Sequence, residues 1–146
     1  MKTKLLIWGT LCLLLTQKHD LIAQCSSCSY NAANNGSFNL NGNQTLCIKE
    51  DVTNMNLNLN GSNNTICVAQ NINWTHTGNL SFNGTTTIDV YGTFVMNGSY
   101  NMNAALVINV KSGGHLKSNT SGFQNNITIN NEGTVTFTNT GNVTNI

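Results

Sequence analysis

The residues with the most chemistry to offer are cysteines. Cys25 and Cys28 stand in a Cys-x-x-Cys spacing, and Cys47 and Cys67 follow in the same half of the chain. Four such residues can close two disulfides in any of three connectivities, or present a tetrahedral thiolate set to zinc. An exporting leader, argued below, favours bridges over metal because it delivers the cysteines to an oxidising compartment. A thioredoxin-like role for Cys25-Ser-Ser-Cys28 would need the motif to open a helix in a βαβ unit, and no stretch here has helical periodicity.

Acid–base hydrolysis of a polysaccharide needs grouped carboxylates. Beyond the leader the acids are Glu50, Asp51, Asp89 and Glu132. Glu50 and Asp51 are adjacent, so on a strand they point to opposite faces, and Lys49 beside them marks a solvated turn. His76 and His115 lie about two repeats apart, too far to share a site. No catalytic, cofactor-binding or metal-binding residue is expected, and no cofactor. What remains suits surface glycans or other cells: Trp74, Tyr91 and Tyr100 could stack on a ligand and His76 could hydrogen-bond to it. Trp74 follows apolar Ile72 by two residues, a core spacing, so packing competes with binding there.

Charged residues make up only 8% of the 146-residue chain, against about a quarter in an ordinary globular protein. There is no arginine, so no basic stripe can replace the counterions of a nucleic acid. Part of the charge belongs to residues 1–23, which read as a signal peptide. Lys2 and Lys4 form a basic start, and Leu5 to Leu15 is an apolar run of eleven residues, too short to span a bilayer. Ala23 suits the last position before cleavage, giving a chain that begins at Gln24, is secreted or held at the cell surface, and has no membrane span. Ile22-Ala23-Gln24-Cys25 also approaches a lipobox with an acylatable Cys25, but Gln24 stands where that motif wants Gly, Ala or Ser. The cleaved chain keeps Lys49, Lys111 and Lys117 against the four acids, a net charge of minus one.

The elements that must carry these side chains announce themselves by repetition. A hydrophobic-x-hydrophobic unit recurs at Leu46-Cys47-Ile48, Ile66-Cys67-Val68, Ile88-Asp89-Val90, Ile108-Asn109-Val110 and Ile127-Thr128-Ile129, at offsets of 20, 22, 20 and 19 residues. A second unit precedes the early copies: Phe38-Asn39-Leu40-Asn41-Gly42, Leu57-Asn58-Leu59-Asn60-Gly61, Leu80-Ser81-Phe82-Asn83-Gly84 and Tyr100-Asn101-Met102-Asn103-Ala104. A third apolar position follows at Val52, Ile72, Phe94, Leu116 and Val135. Three short alternating segments per twenty residues predict an all-β, parallel β-helix (β-solenoid) of about five to six coils of roughly 20 residues.

In that fold Leu46, Ile66, Ile88, Ile108 and Ile127 form one internal column, and Ile48, Val68, Val90, Val110 and Ile129 its neighbour. Asn41, Asn60, Asn83 and Asn103 occupy one turn position, where Asn tolerates left-handed angles and its amides can stack into an internal ladder. Residues 24–36 form an N-terminal cap with the Cys-x-x-Cys, and residues 37–146 the repeats. Thr85-Thr86-Thr87 and the alternating Thr134, Thr136, Thr138 and Thr140 invite an ice-binding reading, but the outward column Cys47, Cys67, Asp89, Asn109, Thr128 is no regular threonine ladder.

Cys25-Ser-Ser-Cys28, Asn43-Gln44-Thr45-Leu46-Cys47-Ile48, Thr65-Ile66-Cys67-Val68, Val90-Tyr91-Gly92-Thr93-Phe94 and Ile129-Asn130-Asn131-Glu132-Gly133-Thr134-Val135 resemble the N-terminal repeats of Bacteroidetes-type surface proteins. The resemblance covers most of residues 25–140. It implies export, often by type IX secretion, and an adhesin-like function; with the scattered acids described above, the expectation is a non-catalytic, structural or adhesin-like module. Such proteins usually continue into further domains, and Gly141-Asn-Val-Thr-Asn-Ile146 reads as the start of another coil. An open C-terminal coil would continue into more repeats or self-associate. A carbohydrate-binding or polysaccharide-processing β-helix is the alternative.

Overall fold

The computed structural model describes residues 24–119 and 126–138. The leader, Thr140 and the 141–146 segment lie outside the described residues.

Every described element is a strand. After β1 (Tyr30–Asn31), a first coil contributes β2 (Ser37–Leu40) and β3 (Thr45–Ile48). The second holds β4 (Asn56–Leu59), β5 (Asn64–Val68) and β6 (Asn73–His76), and the third β7 (Asn79–Phe82), β8 (Thr86–Val90) and β9 (Thr93–Met96). The fourth holds β10 (Ser99–Met102), β11 (Leu106–Val110) and β12 (His115–Ser118), followed by β13 (Ile127–Asn131) and β14 (Thr134–Phe137). Equivalent strands pair in parallel. Sheet A runs β1-β3-β5-β8-β11-β13, sheet B β10-β7-β4-β2, and sheet C β14-β12-β9-β6. The chain is a β-solenoid of about five coils, with the core between the three sheets.

Alternation explains the strands. In β11, Leu106, Ile108 and Val110 are fully buried while Val107 and Asn109 are half-buried on the outer side. In-line register converts each inward position into a column of like side chains, so every coil buries its apolar face on the next. Leu40, Leu59, Phe82 and Met102 make one such column in sheet B. Leu46, Ile66, Ile88 and Ile108 make one in sheet A.

The last coil departs from the expected register by two residues. Ile129, not Ile127, pairs with Ile108; Ile127 lies opposite Leu106, and Asn131 opposite Val110. A shift of two keeps the same side chains inward, so hydrophobic alternation alone cannot choose between the registers. The corner chooses. Glu132-Gly133 joins β13 to β14 in two residues, as Tyr91-Gly92 joins β8 to β9, and this makes Asn131 the equivalent of Val90.

Sheet C brings a second correction. Its core column is Val52, Trp74, Phe94, Leu116 and Val135, with Trp74 rather than Ile72 in the second coil. A longer corner precedes β6, with Asn71 at φ 62°, and it leaves Ile72 half-buried beside the core.

Two corner glycines are required by close approach of the coils. A methyl group on Gly61 would overlap the Asn41 carbonyl, and one on Gly84 the Gly61 carbonyl. At the neighbouring corner position, buried Asn64 ties coils together: its Oδ1 accepts from Gly42 N at 3.1 Å and its Nδ2 donates to the Gly61 carbonyl at 2.6 Å and the Leu40 carbonyl at 3.3 Å. With a further bond accepted from Gln44 N at 3.4 Å, both lone pairs and both N–H groups of the amide are used, which allows a polar side chain 1% exposed to sit in this core.

Candidate functional site

Three of the four side chains expected to meet a ligand are inside. Trp74 is 0% exposed and stacks on Phe94, its neighbour in the next coil, with ring centroids 4.1 Å apart and planes 8° from parallel. His76 and Tyr100 are 5% and 8% exposed. The Tyr100 hydroxyl comes within 3.1 Å of His76 Nδ1 and 3.4 Å of the His76 carbonyl oxygen, joining sheet B to sheet C through the interior. Burial lowers the His76 pKa below its ordinary value and pushes the Tyr100 phenol up. These residues form a neutral structural pair and an aromatic stack, not a ligand-facing group. Tyr91 alone stays half-exposed, on the outer face of sheet A.

That outer face is divided between covalent chemistry and hydrogen bonding. Cys47 and Cys67 are register partners pointing away from the core. Residues 24–28 cross over them, bonded as Cys28–Cys47 and Cys25–Cys67. The N-terminal segment is therefore a strap that joins two coils, and β1 continues it as the edge strand beside β3. With all four sulfurs in disulfides, the zinc alternative has no thiolates, and Cys25 Sγ is not free to carry a lipid. Tyr91 packs against this cluster.

Further along, the same outward column reads Asp89, Asn109 and Asn130, where Thr128 was expected before the register shift. Asn109 Nδ2 donates to Asp89 Oδ1 at 2.7 Å, and Asn130 Nδ2 donates to Asn109 Oδ1 at 2.8 Å. Because a carboxylate only accepts, Asp89 fixes the direction of this ladder. Asp51 likewise accepts from the backbone N–H of Asn73, at 2.7 Å. Two of the acids considered for catalysis thus bind one coil to the next.

Sheet B presents a different surface. Its outward positions align in three sets, Ser37, Asn56, Asn79 and Ser99; then Asn39, Asn58, Ser81 and Asn101; then, at the corner, Asn41, Asn60, Asn83 and Asn103, with β2–β4 and β7–β10 paired along their length and β4–β7 paired at Leu59↔Phe82. Every one of these side chains is Asn or Ser. Amide ladders run along it, from Asn58 to Asn39 at 2.7 Å, from Asn83 to Asn60 at 3.4 Å and from Asn103 to Asn83 at 2.9 Å. The expected turn ladder therefore exists from Asn60 onward, but on the exposed surface rather than internally. Asn41 stands apart, its backbone N–H bonded to Gln44 Oε1 at 2.8 Å. The asparagines with left-handed backbone among the described residues are Asn35, Asn43, Asn63 and Asn71 instead.

At the corner between sheets C and B a hollow of about 300 Å³ opens, lined by Asn35, Thr53, Asn54, Met55, Asn56 and Thr77, with Gly78. Asn56 belongs to both the hollow and the sheet B face. The described charges, Lys49, Glu50, Asp51, Asp89, Lys111, Lys117 and Glu132, all lie on sheets A and C or the corner between them. Segregation of charge away from one face was legible in the second repeat unit, whose x positions are Asn or Ser in every copy.

Among the described residues, no group of three or more His, Cys, Asp or Glu side chains is placed to hold a metal ion, and no helix is long and apolar enough to cross a membrane. Compared with family models, with curated proteins and with solved structures, the chain matches none.

Proposed function

We propose that this chain is an exported, non-catalytic solenoid module with a structural, adhesin-like function at or beyond the cell surface. The observation that carries the reading is how its polar chemistry is used. Asp89, Asp51 and the outward asparagines hold coil to coil, and the disulfide strap locks the N-terminal coils. A stack of coils joined this way is a stiff rod segment with side chains displayed at regular intervals, the geometry of a spacer or a multivalent contact surface. Disulfides are compatible with an extracellular location, and the Lys2-to-Leu15 pattern supports export. The resemblance to Bacteroidetes-type surface repeats points the same way.

The test is to express the full chain with its leader in a bacterial host and follow it by protease shaving of intact cells and by assay of the medium. The reading expects the protein outside the inner membrane, with no release of reducing ends from a polysaccharide panel. Retention in the cytoplasm, or measurable turnover of any glycan, contradicts it.

A further inference from the structure

We infer that the Asn/Ser face of sheet B, with the hollow at its edge, is a binding surface for a neutral polysaccharide. This rests on the reading of the chain as an exported, non-catalytic module and names the ligand class of that module.

The argument begins with the amides. Asn83, bonded on both sides, uses one N–H and one oxygen lone pair and retains a second of each for solvent, while in these ladders Asn39 and Asn60 only accept and Asn58 and Asn103 only donate, leaving still more amide capacity outward. Within the paired strands β2–β4 and β7–β10 the outward side chains repeat about every 4.8 Å along the axis and, at alternate residues, about every 6.6 Å across it. Hydroxyl groups, which both donate and accept, are the natural complement. Nothing on this face attracts an ion, whereas charges do populate the other two faces, so an anionic polymer or a nucleic acid would meet no compensating charge here.

A second copy of the chain is the other occupant to weigh, because stacked Asn ladders can close into dry zippers. Area decides against it. Four strands and three columns cover roughly 300 to 400 Å², well short of the ~800 Å² per partner of a stable protein interface. A weak contact of that size gains strength through repetition on a polymer surface. Ice is disfavoured by chemistry, since the face has hydroxyls and amides but no methyl-bearing threonine in any of its columns.

The hollow supplies the non-repeating end of the site. Asn35, Asn54 and Thr53 bring further neutral donors and acceptors to a concave corner, and Met55 gives it an apolar wall against which the carbon face of a sugar ring can pack. Asn56 and Asn79, in the set nearest the hollow, are exposed, and among the described residues no ladder bond runs through them.

The experiment is a depletion assay of the exported protein on chitin and cellulose particles, with alginate beads as the anionic comparison. The inference expects saturable binding to at least one neutral particle, unchanged from low to high salt, and none to alginate. Asn79→Glu and, independently, Asn56→Glu should each weaken binding about tenfold or more at an unchanged melting temperature, whereas Lys117→Glu on sheet C should leave it intact. No binding to either neutral particle, binding lost in high salt, equal loss in the Lys117→Glu variant, or ice shaping in place of glycan binding would overturn it. These results leave the export and non-catalysis tests standing, so the two failures are distinguishable.

Discussion

At the scale of single residues, the interior aromatic and imidazole groups are where burial reassigns chemistry. Trp74 and Phe94 stack inside sheet C, and truncating Trp74 to Ala should cost about 3–5 kcal/mol, read as a lowered denaturant midpoint with an unchanged slope. A loss below 1 kcal/mol would mean that the ring is not in the core. The His76–Tyr100 pair sets a pH window. His76 is held neutral in the fold by desolvation, so the unfolded chain binds the extra proton. Stability should therefore fall as pH drops below about 6.5, the unfolded value, until the folded pKa is passed. Tyr100 acts at the other end: its raised pKa means that stability is fully present below about 10 and falls as pH rises beyond it. Urea midpoints across pH should show a plateau between these limits, and His76→Gln should flatten its acid side. Sequence alone could not separate these residues from ligand contacts, because alternation places a side chain on one face without saying which face is closed by another sheet. The core spacing of Trp74 was visible, but the longer corner before β6 hid its column.

At the scale of elements, strands were more legible than corners. The Leu/Ile/Val columns of sheet A and the Asn-flanked strands of sheet B follow directly from the repeated units, because parallel pairing in register rewards identical residues at identical positions. What escaped was the length of the links. A corner of two residues or of four moves the register of the strand that leads into it by two without disturbing the hydrophobic pattern, and the expected columns place Ile127 and Ile129 two residues off for that reason. The repeated Gly-Thr-apolar signal at Gly92 and Gly133 marks the two-residue corners and carries the missing information. Corner glycines should be correspondingly intolerant. Gly84→Ala, which drives a methyl group into the Gly61 carbonyl, should destabilise by about 1–3 kcal/mol, whereas alanine at Gly113, where a methyl would meet nothing within 4 Å, should reflect only its φ of 80°. Equal thermal shifts for both would show that the coils do not approach as closely as described.

At the scale of the whole molecule, the low charge that excludes nucleic acid also shapes the surface: acids and lysines sit on two faces, and a neutral amide lattice covers the third. The strap makes the N-terminal coils a covalent unit. Cys25–Cys67 and Cys28–Cys47 close loops of 42 and 19 residues, so reduction should lower stability by about 2–4 kcal/mol, with the strap region opening first in hydrogen exchange. Which of the three connectivities forms was not legible from spacing: the outward column shared by Cys47 and Cys67 was, but the choice depends on how residues 24–28 are laid across it. That dependence makes disulfide mapping of the exported protein by mass spectrometry the most direct test of the account. Cys25–Cys67 with Cys28–Cys47 would establish at once the coil register, the strap and an oxidising destination. Cys25–Cys28 with Cys47–Cys67, free thiols, or an acylated Cys25 would contradict it.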